Sequence, residues 1–452
     1  MTATLPPGPP LPRWLQTVGF MVGGARFLEA CRRRYGDVVT MGTLFDERFV
    51  MVFDPVAAKQ VFQGSGDELH AGEANALLGP ILGERSVLLL DGAEHLRHRR
   101  LLLPPFHGRA MLAHVETMRD CADTEIDRWP VGEPFTLLGS MQSLTLRIIL
   151  RAVFGYAAGP AEDELAARLR AMVEPLSRAR GVLMLSAVLR GRNQRRAAQE
   201  FERRKRAVDE IVYAEIARRR ADPDLAQRDD VFSGLLLARD EDGEGLRDHE
   251  IRDELLTLLL AGHETTATGL AWTFDLLLHD PRVRAAAQAR EAGHEAYLDA
   301  VIKEALRIRP VIPGVGRVVR ERPFRLHGYE IPVGVEINPS IRTIHRRADL
   351  YPSPETFRPE RFLHDDAPDT YTWLPFGGGT RRCLGASFAL TEMRIVLSRV
   401  LERTDLLAVD SERAKAQFRA ITLAPKGGVR VRLPRAPRPA AQPASPISTP
   451  VV

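Results

Sequence analysis

The spacing of apolar residues changes character several times along this chain. From Phe27 to Val61 a helical spacing gives way to β-branched alternation around Val38-Val39-Thr40 and Phe49-Val50-Met51-Val52, the pattern of a small sheet beside helices. From Glu94 to Leu306 the spacing is overwhelmingly helical. It is broken at Pro104-Pro105, Pro130, Pro134 and Pro223, where a fixed φ and a missing N–H stop a helix. Strand signals return from Arg317 to Ile337, with Gly328 to Gly334 reading as a hairpin. A helix follows over Ala386 to Leu401, and short strands close the pattern near Phe418 to Leu433. These elements predict a mainly α fold with a minor β lobe.

One predicted helix stands apart. Arg252 to Leu278 is apolar on all sides through Leu255, Leu256, Leu258, Leu259 and Leu260, so it belongs in an interior. At its centre stands Ala261-Gly262-His263-Glu264-Thr265-Thr266. Buried polar groups are costly unless paired, so this run calls for an explanation. Gly262 weakens the helix locally, and the Thr265 hydroxyl is spaced to take the carbonyl of Ala261, together opening the helix to small polar molecules. The plain alternative is a kinked core helix with one satisfied acid. A zinc-protease reading of His263-Glu264 fails because position 267 is Ala267, not histidine.

Composition narrows the class. The 452 residues show no internal repeat and no long linker. Three cysteines, Cys31, Cys121 and Cys383, are too few for a disulfide framework and point to a reducing compartment. Cys31 and Cys121 fall in helix-like stretches and read as core or near-surface thiols. The net charge of +4 is modest, and the arginine clusters at 32–34, 97–100 and 203–206 lack aromatic interleaving, which argues against nucleic acid. No run reaches the roughly 18 apolar residues that a membrane span requires, and no signal peptide is visible. Residues 1–12 are proline-rich and stiff; residues 435–452 are rich in proline and alanine and read as a disordered tail.

The last cysteine lies in Phe376-Gly377-Gly378-Gly379-Thr380-Arg381-Arg382-Cys383-Leu384-Gly385. Glycines permit unusual backbone and close approach of a flat ligand. Preceding arginines and a following helix start favour a thiolate, the form that ligates a metal. Thiolate ligation of haem iron is one use of such a cysteine. A buried structural cysteine is the plain reading. Zinc is disfavoured because no second ligand lies at suitable spacing. A cysteine nucleophile stays open from the loop alone, although nothing else supplies its general base.

The loop resembles the haem-binding loop of the cytochrome P450 family, Phe-x-x-Gly-x-Arg-x-Cys-x-Gly, at every fixed position. The run from Ala261 to Thr265 resembles the same family's oxygen-binding motif. The resemblance implies one mainly α domain over residues 1–434, haem b as cofactor, and Cys383 as axial iron ligand. Thr265 and Glu264 would serve oxygen activation and proton delivery. Phe376, Gly377, Gly385 and Ala261 would lie against the haem, and His95, Arg99, Arg317 and Arg381 would hold its propionates. Glu304 and Arg307 match the family's Glu-x-x-Arg pair, completed by Arg361 of Pro359-Glu360-Arg361-Phe362. The implied function is a soluble, cytoplasmic bacterial monooxygenase that inserts one atom of O2 into a hydrophobic small molecule. A haem-thiolate peroxygenase or isomerase, or a haem-based sensor, are the alternatives. Electrons would come from a separate ferredoxin and ferredoxin reductase, docking by an arginine patch of Arg97, Arg100 and Arg382. By analogy, substrate contacts fall at 70–88, on the lid helices on either side of 181–189, on helix residues beside Ala261, and at 313–316 and 421–423, and Val182 to Leu185 as a membrane-dipping segment is less favoured than core or lid packing. The stretch from Asp280 to Lys303 is shorter than the family pattern, which implies a missing piece of connecting helix.

Overall fold

The computed structural model describes residues 5–106, 111, 113–177, 195–289, 291–363 and 367–440. The chain forms two compact units: residues 1–99, 306–357 and 364–383, and residues 100–305, 358–363 and 384–452.

The first unit is built on a five-stranded sheet. Its order is Val38–Met41, Phe49–Val52, Glu336–Pro339, Arg317–Val319 and Leu69–His70. All neighbours are antiparallel except Phe49–Val52 with Glu336–Pro339. Successive side chains point to opposite faces of a strand. Val38, Val50 and Val52 therefore join one core with Val61, Phe62 and Ile337, while Val39, Met41, Phe49 and Met51 join another with Leu28 and Cys31. Both faces are covered, which explains why Phe49–Val52 is buried throughout. Asp54 and Pro55 begin the helix Pro55–Gln63, the Asp54 carboxylate accepting from the Ala57 N–H at 2.8 Å. The hairpin is present as Phe324–Leu326 and Tyr329–Ile331. Its turn sits earlier than Gly328 to Gly334 suggested: His327 and Gly328 both have positive φ, which matches the twist of a two-residue hairpin turn.

The second unit is helical. Asp248–Leu278 runs through it as a single 31-residue helix. Leu137–Ala152 packs along it, and Val115–Asp127 packs against Ala386–Arg403, where Arg399 pairs with Asp123 at 2.7 Å and Arg403 with Asp123 at 3.1 Å. Trp272 donates its indole N–H to the Leu423 carbonyl at 2.8 Å, fastening the long helix to the hairpin Ala416–Arg419 and Thr422–Pro425. Inside the stretch read as helical lies one strand, Pro134–Thr136, paired with Arg430–Arg432. Three residues are too few to show a period, and the partner lies far along the chain. The connection read as short holds one helix, Pro281–Gln288, before His294–Ile308 begins. Residues 435–440 of the segment read as a tail are described: Arg438 bonds the Arg403 carbonyl through its N–H at 2.8 Å, and its side chain pairs with Asp405. Residues 441–452 lie outside the described residues.

Cys31 and Cys121 are both buried, as expected of core thiols, and burial pushes the Cys121 thiol up to about 11. Glu392, in Ala386–Arg403, is also fully buried, and neither carboxyl oxygen has a hydrogen-bond partner among the described residues. Burial raises its carboxyl well above the usual range, so it is protonated. A raised folded value makes the sign definite. Its stability contribution is fully present below the unfolded value of about 4.5 and is lost as pH rises toward the folded value. Replacing Glu392 with Met, similar in length and without a proton to lose, should raise the thermal midpoint by a few degrees at pH 8, with the gain shrinking toward pH 5. Calorimetry across that range measures it, and a gain independent of pH would contradict the assignment.

Candidate functional site

The glycine-rich loop closes on itself. The Cys383 N–H donates to the Phe376 carbonyl at 2.9 Å, and the Gly377 N–H to Leu374 at 3.0 Å. Gly377 and Gly379 have φ of 68° and 64°, in the left-handed region that favours glycine. At Gly379 a Cβ would stand 1.8 Å from the Phe62 carbonyl oxygen, so the loop lies against the helix Pro55–Gln63 at a distance no side chain allows. At Gly385 a Cβ would meet nothing within 4 Å and φ is ordinary, so neither packing nor conformation explains glycine there. Cys383 is exposed, which removes the reading of a buried structural cysteine.

Beside this loop the first unit gathers positive charge. His95, Arg317 and Arg381 line one pocket with Phe62, Gly92 and Thr380. Arg381 pairs with Asp91 at 2.5 Å and donates to the Val87 carbonyl at 3.2 Å. Arg317, 7% exposed, donates to its neighbour Gly316 and makes no ion pair among the described residues. Burial, reinforced by Arg381, pulls Arg317 down to about 10. His95 is 4% exposed and is pulled down to about 3 by burial and then by Arg381, Arg99 and Arg317. Arg99 is lowered by burial and, secondarily, by Arg382, while Cys383 opposes that shift. These are basic groups that depress one another, with Asp91 paired to Arg381 and Glu336 and Asp91 offsetting part of the shift at Arg317. Buried charge of one sign is stable only with a counter-ion, so the cluster is built for an anion.

Each unit also holds a buried cluster of its own. Arg307 is fully buried and donates to the carbonyls of His345 and Pro354, both at 2.7 Å, with its guanidinium 4.8 Å from the centre of the Tyr351 ring. Burial and the Arg307 charge hold His345 down at about 3. Its neutral ring accepts from the Leu374 N–H at Nε2, 2.7 Å, and therefore carries its proton on Nδ1, facing the Arg307 carbonyl at 3.2 Å. That ties the helix ending at Ile308 to the start of the cysteine loop. Within the second unit Glu304 accepts from Arg361 at 3.3 Å and from the Arg358 N–H at 3.1 Å.

The centre of the long helix is built differently from its flanks. Residues 251–257 and 266–277 are buried, whereas Ala261 is exposed and 262–265 are half-buried. The Thr265 hydroxyl donates to the Ala261 carbonyl at 2.5 Å, as the spacing predicted. The helix is nonetheless continuous through Gly262. A Cβ there would stand 2.3 Å from Ile149 Cδ1, so glycine serves close packing of Leu137–Ala152 rather than an opening. That helix presents a stripe three and four residues apart. Gln142 donates to Glu264 at 2.6 Å, Thr145 donates to the His263 carbonyl at 2.9 Å, and Ile149 covers Gly262. Arg419, from the hairpin strand Ala416–Arg419, pairs with the other Glu264 oxygen at 3.3 Å.

The cytochrome P450 family model matches residues 6–429. The chain belongs to the cytochrome P450 family. A Mycobacterium tuberculosis protein assigned as cytochrome P450 135B1 is 43% identical over 436 residues, covering 95% of this chain and 91% of its own. Another from that organism, assigned as cytochrome P450 137, is 41% identical over 443 residues, covering 94% and 90%. The solved retinoic acid-bound cyanobacterial CYP120A1 superposes with a TM-score of 0.80 at 23% identity, over 96% of this chain and 99% of that one, and so shares the fold. As a P450 the protein is a haem-thiolate monooxygenase that binds haem b, in the mainly α fold with a small β region that the sequence implied.

The residues of the first unit fit that cofactor: an exposed thiol in a glycine loop, beside basic groups short of acids, suits a thiolate-ligated ring bearing two carboxylates. Sequence reasoning missed Asp91, His345, Gln142, Thr145 and Arg419. Asp91 alone left a local trace, an Asp-Gly turn before the helix Gly92–Leu102, and its carboxylate caps Ala71, Gly72 and Glu73. Arg100, read as part of a docking patch, is exposed and pairs with Glu241 at 2.9 Å. The segment 181–189, with Val182 to Leu185, lies outside the described residues.

Removing Arg307 strands the carbonyls of His345 and Pro354 in the interior. Arg307→Ala should cost roughly 3–5 kcal/mol and yield apo or insoluble protein. Soluble, fully haem-loaded mutant, measured by the ratio of Soret to protein absorbance, would contradict it.

Proposed function

We propose that Cys383 supplies the sulfur ligand of the haem iron, that His95, Arg99, Arg317 and Arg381 hold the propionates, and that Thr265 and Glu264 serve oxygen activation on a hydrophobic small molecule. The observation that carries the reading is the cluster of buried and half-buried basic groups, with Asp91 the carboxylate paired with one of them, beside an exposed cysteine. Bound haem supplies the oxygen chemistry, tuned by its sulfur donor. The chain's own residues then handle orientation and protons. The Thr265 hydroxyl keeps lone pairs available while its proton rests on Ala261, and the Glu264 carboxylate is held in place by Gln142 and Arg419. Phe376, Gly377, Gly385 and Ala261 are the residues that would lie against the ring, as the motif resemblance implies. Glu304, Arg307 and Arg361 keep the framework of the site rigid. Residues 1–434 form the enzyme in this reading.

Electrons come from a separate ferredoxin-type carrier, and the exposed Arg382 next to Cys383 suits an acidic one. The substrate class rests on apolar residues such as Ile421 and Leu423 in the segments assigned to substrate by analogy.

Reduced protein under carbon monoxide should show the red-shifted Soret band of a sulfur-ligated complex, and Cys383→Ser should lose it. A wild-type spectrum without that band would end the reading. Thr265→Ala should keep the band but lower product formed per O2 consumed by roughly tenfold or more; unchanged coupling would remove Thr265 from the reaction. Reduction by an acidic ferredoxin should slow as salt rises, and a salt-independent rate would exclude arginine docking.

A further inference from the structure

The arginine run at 32–34 lines a groove of about 1020 Å³ within the first unit. One wall is the helix Gly24–Tyr35 and the other is formed by residues between 343 and 355. Leu28 and Cys31 turn the inner face of that helix into the core. Arg26, Ala30, Arg33 and Arg34 share its outer face, at offsets of four, seven and eight residues. Arg346 and Arg347 stand on the opposite wall. Ala25, Ala30 and Ala348 are small, which keeps the space between the two rows of arginine open.

The acids present do not use up this charge. Glu29 pairs with Arg32 and with Arg33, both at 2.9 Å, and Asp37 with Arg32 at 3.2 Å and Arg347 at 2.9 Å. Asp349 takes Arg347 at 2.7 Å, and Glu355 takes Arg346 at 3.2 Å. Arg26, Arg34 and Arg342 make no ion pair among the described residues. Arg342 adjoins the groove, its Nη1 lying 3.7 Å from where a Cβ on Gly24 would stand. Burial, then Arg346 and Arg309, pull Arg342 down to about 10, with Glu355 opposing. The Nε of Arg346 is buried and has no hydrogen-bond partner among the described residues. An enclosed guanidinium N–H left open is costly, so it points to an acceptor supplied from outside. Guanidinium forks match phosphate oxygens two at a time. Arg26 and Arg33 are seven residues apart, roughly 10 Å along the helix, farther than one phosphate reaches. Arg346 and Arg347 keep 21% and 11% of their side chains exposed. A narrow phosphate chain reaches such groups, whereas a folded acidic surface does not. The groove has the size of a small-molecule site, and no aromatic ring lines it to stack on a base.

We propose that this groove binds the phosphate chain of a small polyphosphate compound, recognising the chain and not the group attached to it. Isothermal titration calorimetry of the haem-loaded, full-length protein tests it, with sodium tripolyphosphate, ATP, adenosine and inorganic phosphate as probes. The carbon monoxide spectrum is recorded on the same samples, so a failure of the haem reading shows separately. Tripolyphosphate and ATP should bind with similar affinity, roughly tenfold or more tighter than inorganic phosphate, and adenosine should not bind. Arg26→Gln/Arg34→Gln removes two exposed side chains that have no ion pair to lose. That double variant should keep its carbon monoxide spectrum and bind tripolyphosphate roughly tenfold or more weakly. Arg346→Gln should weaken binding as well; if it does not load haem, the exposed pair decides the matter. No binding of tripolyphosphate, inorganic phosphate bound as tightly, or equal binding by the spectrally intact double variant would each overturn the proposal. So would an acidic ferredoxin that loses affinity for the double variant while tripolyphosphate binds neither protein.

Discussion

Desolvated positive charge is the constraint around which the first unit is organised. His95, Arg317 and Arg381 share one pocket, with Arg99 nearby, and Asp91 is the carboxylate paired with one of them. The guanidiniums keep their charge and lower one another, and together with burial they hold the His95 ring neutral. Folding tolerates such a cluster where a bound anion compensates it, and in the proposed reading the two carboxylates of the cofactor would do so. In that reading haem retention and the stability of this unit would be linked through the same side chains.

The second unit solves a related problem with neutral donors and one arginine. A glutamate in the middle of a helix otherwise walled by leucines needs partners, and the neighbouring helix supplies them at one turn's spacing. Gln142 takes the carboxylate, Thr145 a backbone carbonyl, and Ile149 fills the space that Gly262 leaves. Arg419 adds charge from the hairpin that also carries Ile421, so a residue expected near substrate and the residue holding the acid lie two positions apart. The central glycine and threonine thereby keep the helix intact while its middle stays accessible.

His345 is an instance of a residue whose importance is invisible until its surroundings are known. Alone it is one of 12 histidines in the chain. In place, it is neutral, fully enclosed, and joins the Arg307 helix to the backbone at Leu374, just ahead of the cysteine loop. The same holds for Glu392, whose burial in Ala386–Arg403 makes it a proton-bearing group rather than a surface acid.

Sequence alone determined whatever depends on neighbours along the chain. The glycine turns of the cysteine loop, the Thr265 bond to a carbonyl one turn back, the apolar long helix and the alternating strands are all set by local backbone geometry and period. The loop and helix motifs were specific enough to name the family before any fold was seen. Tertiary structure decided the partners. Gln142 and Glu264 are 122 positions apart, and His345 and Leu374 are 29 apart, and no period in the residues announces such pairs. It also decided which arginines lose their water, because burial is a property of the packed surface and not of the residue. Arg100 and Arg317 look alike in the sequence; one pairs with Glu241 in solvent, the other lies enclosed with no ion pair among the described residues.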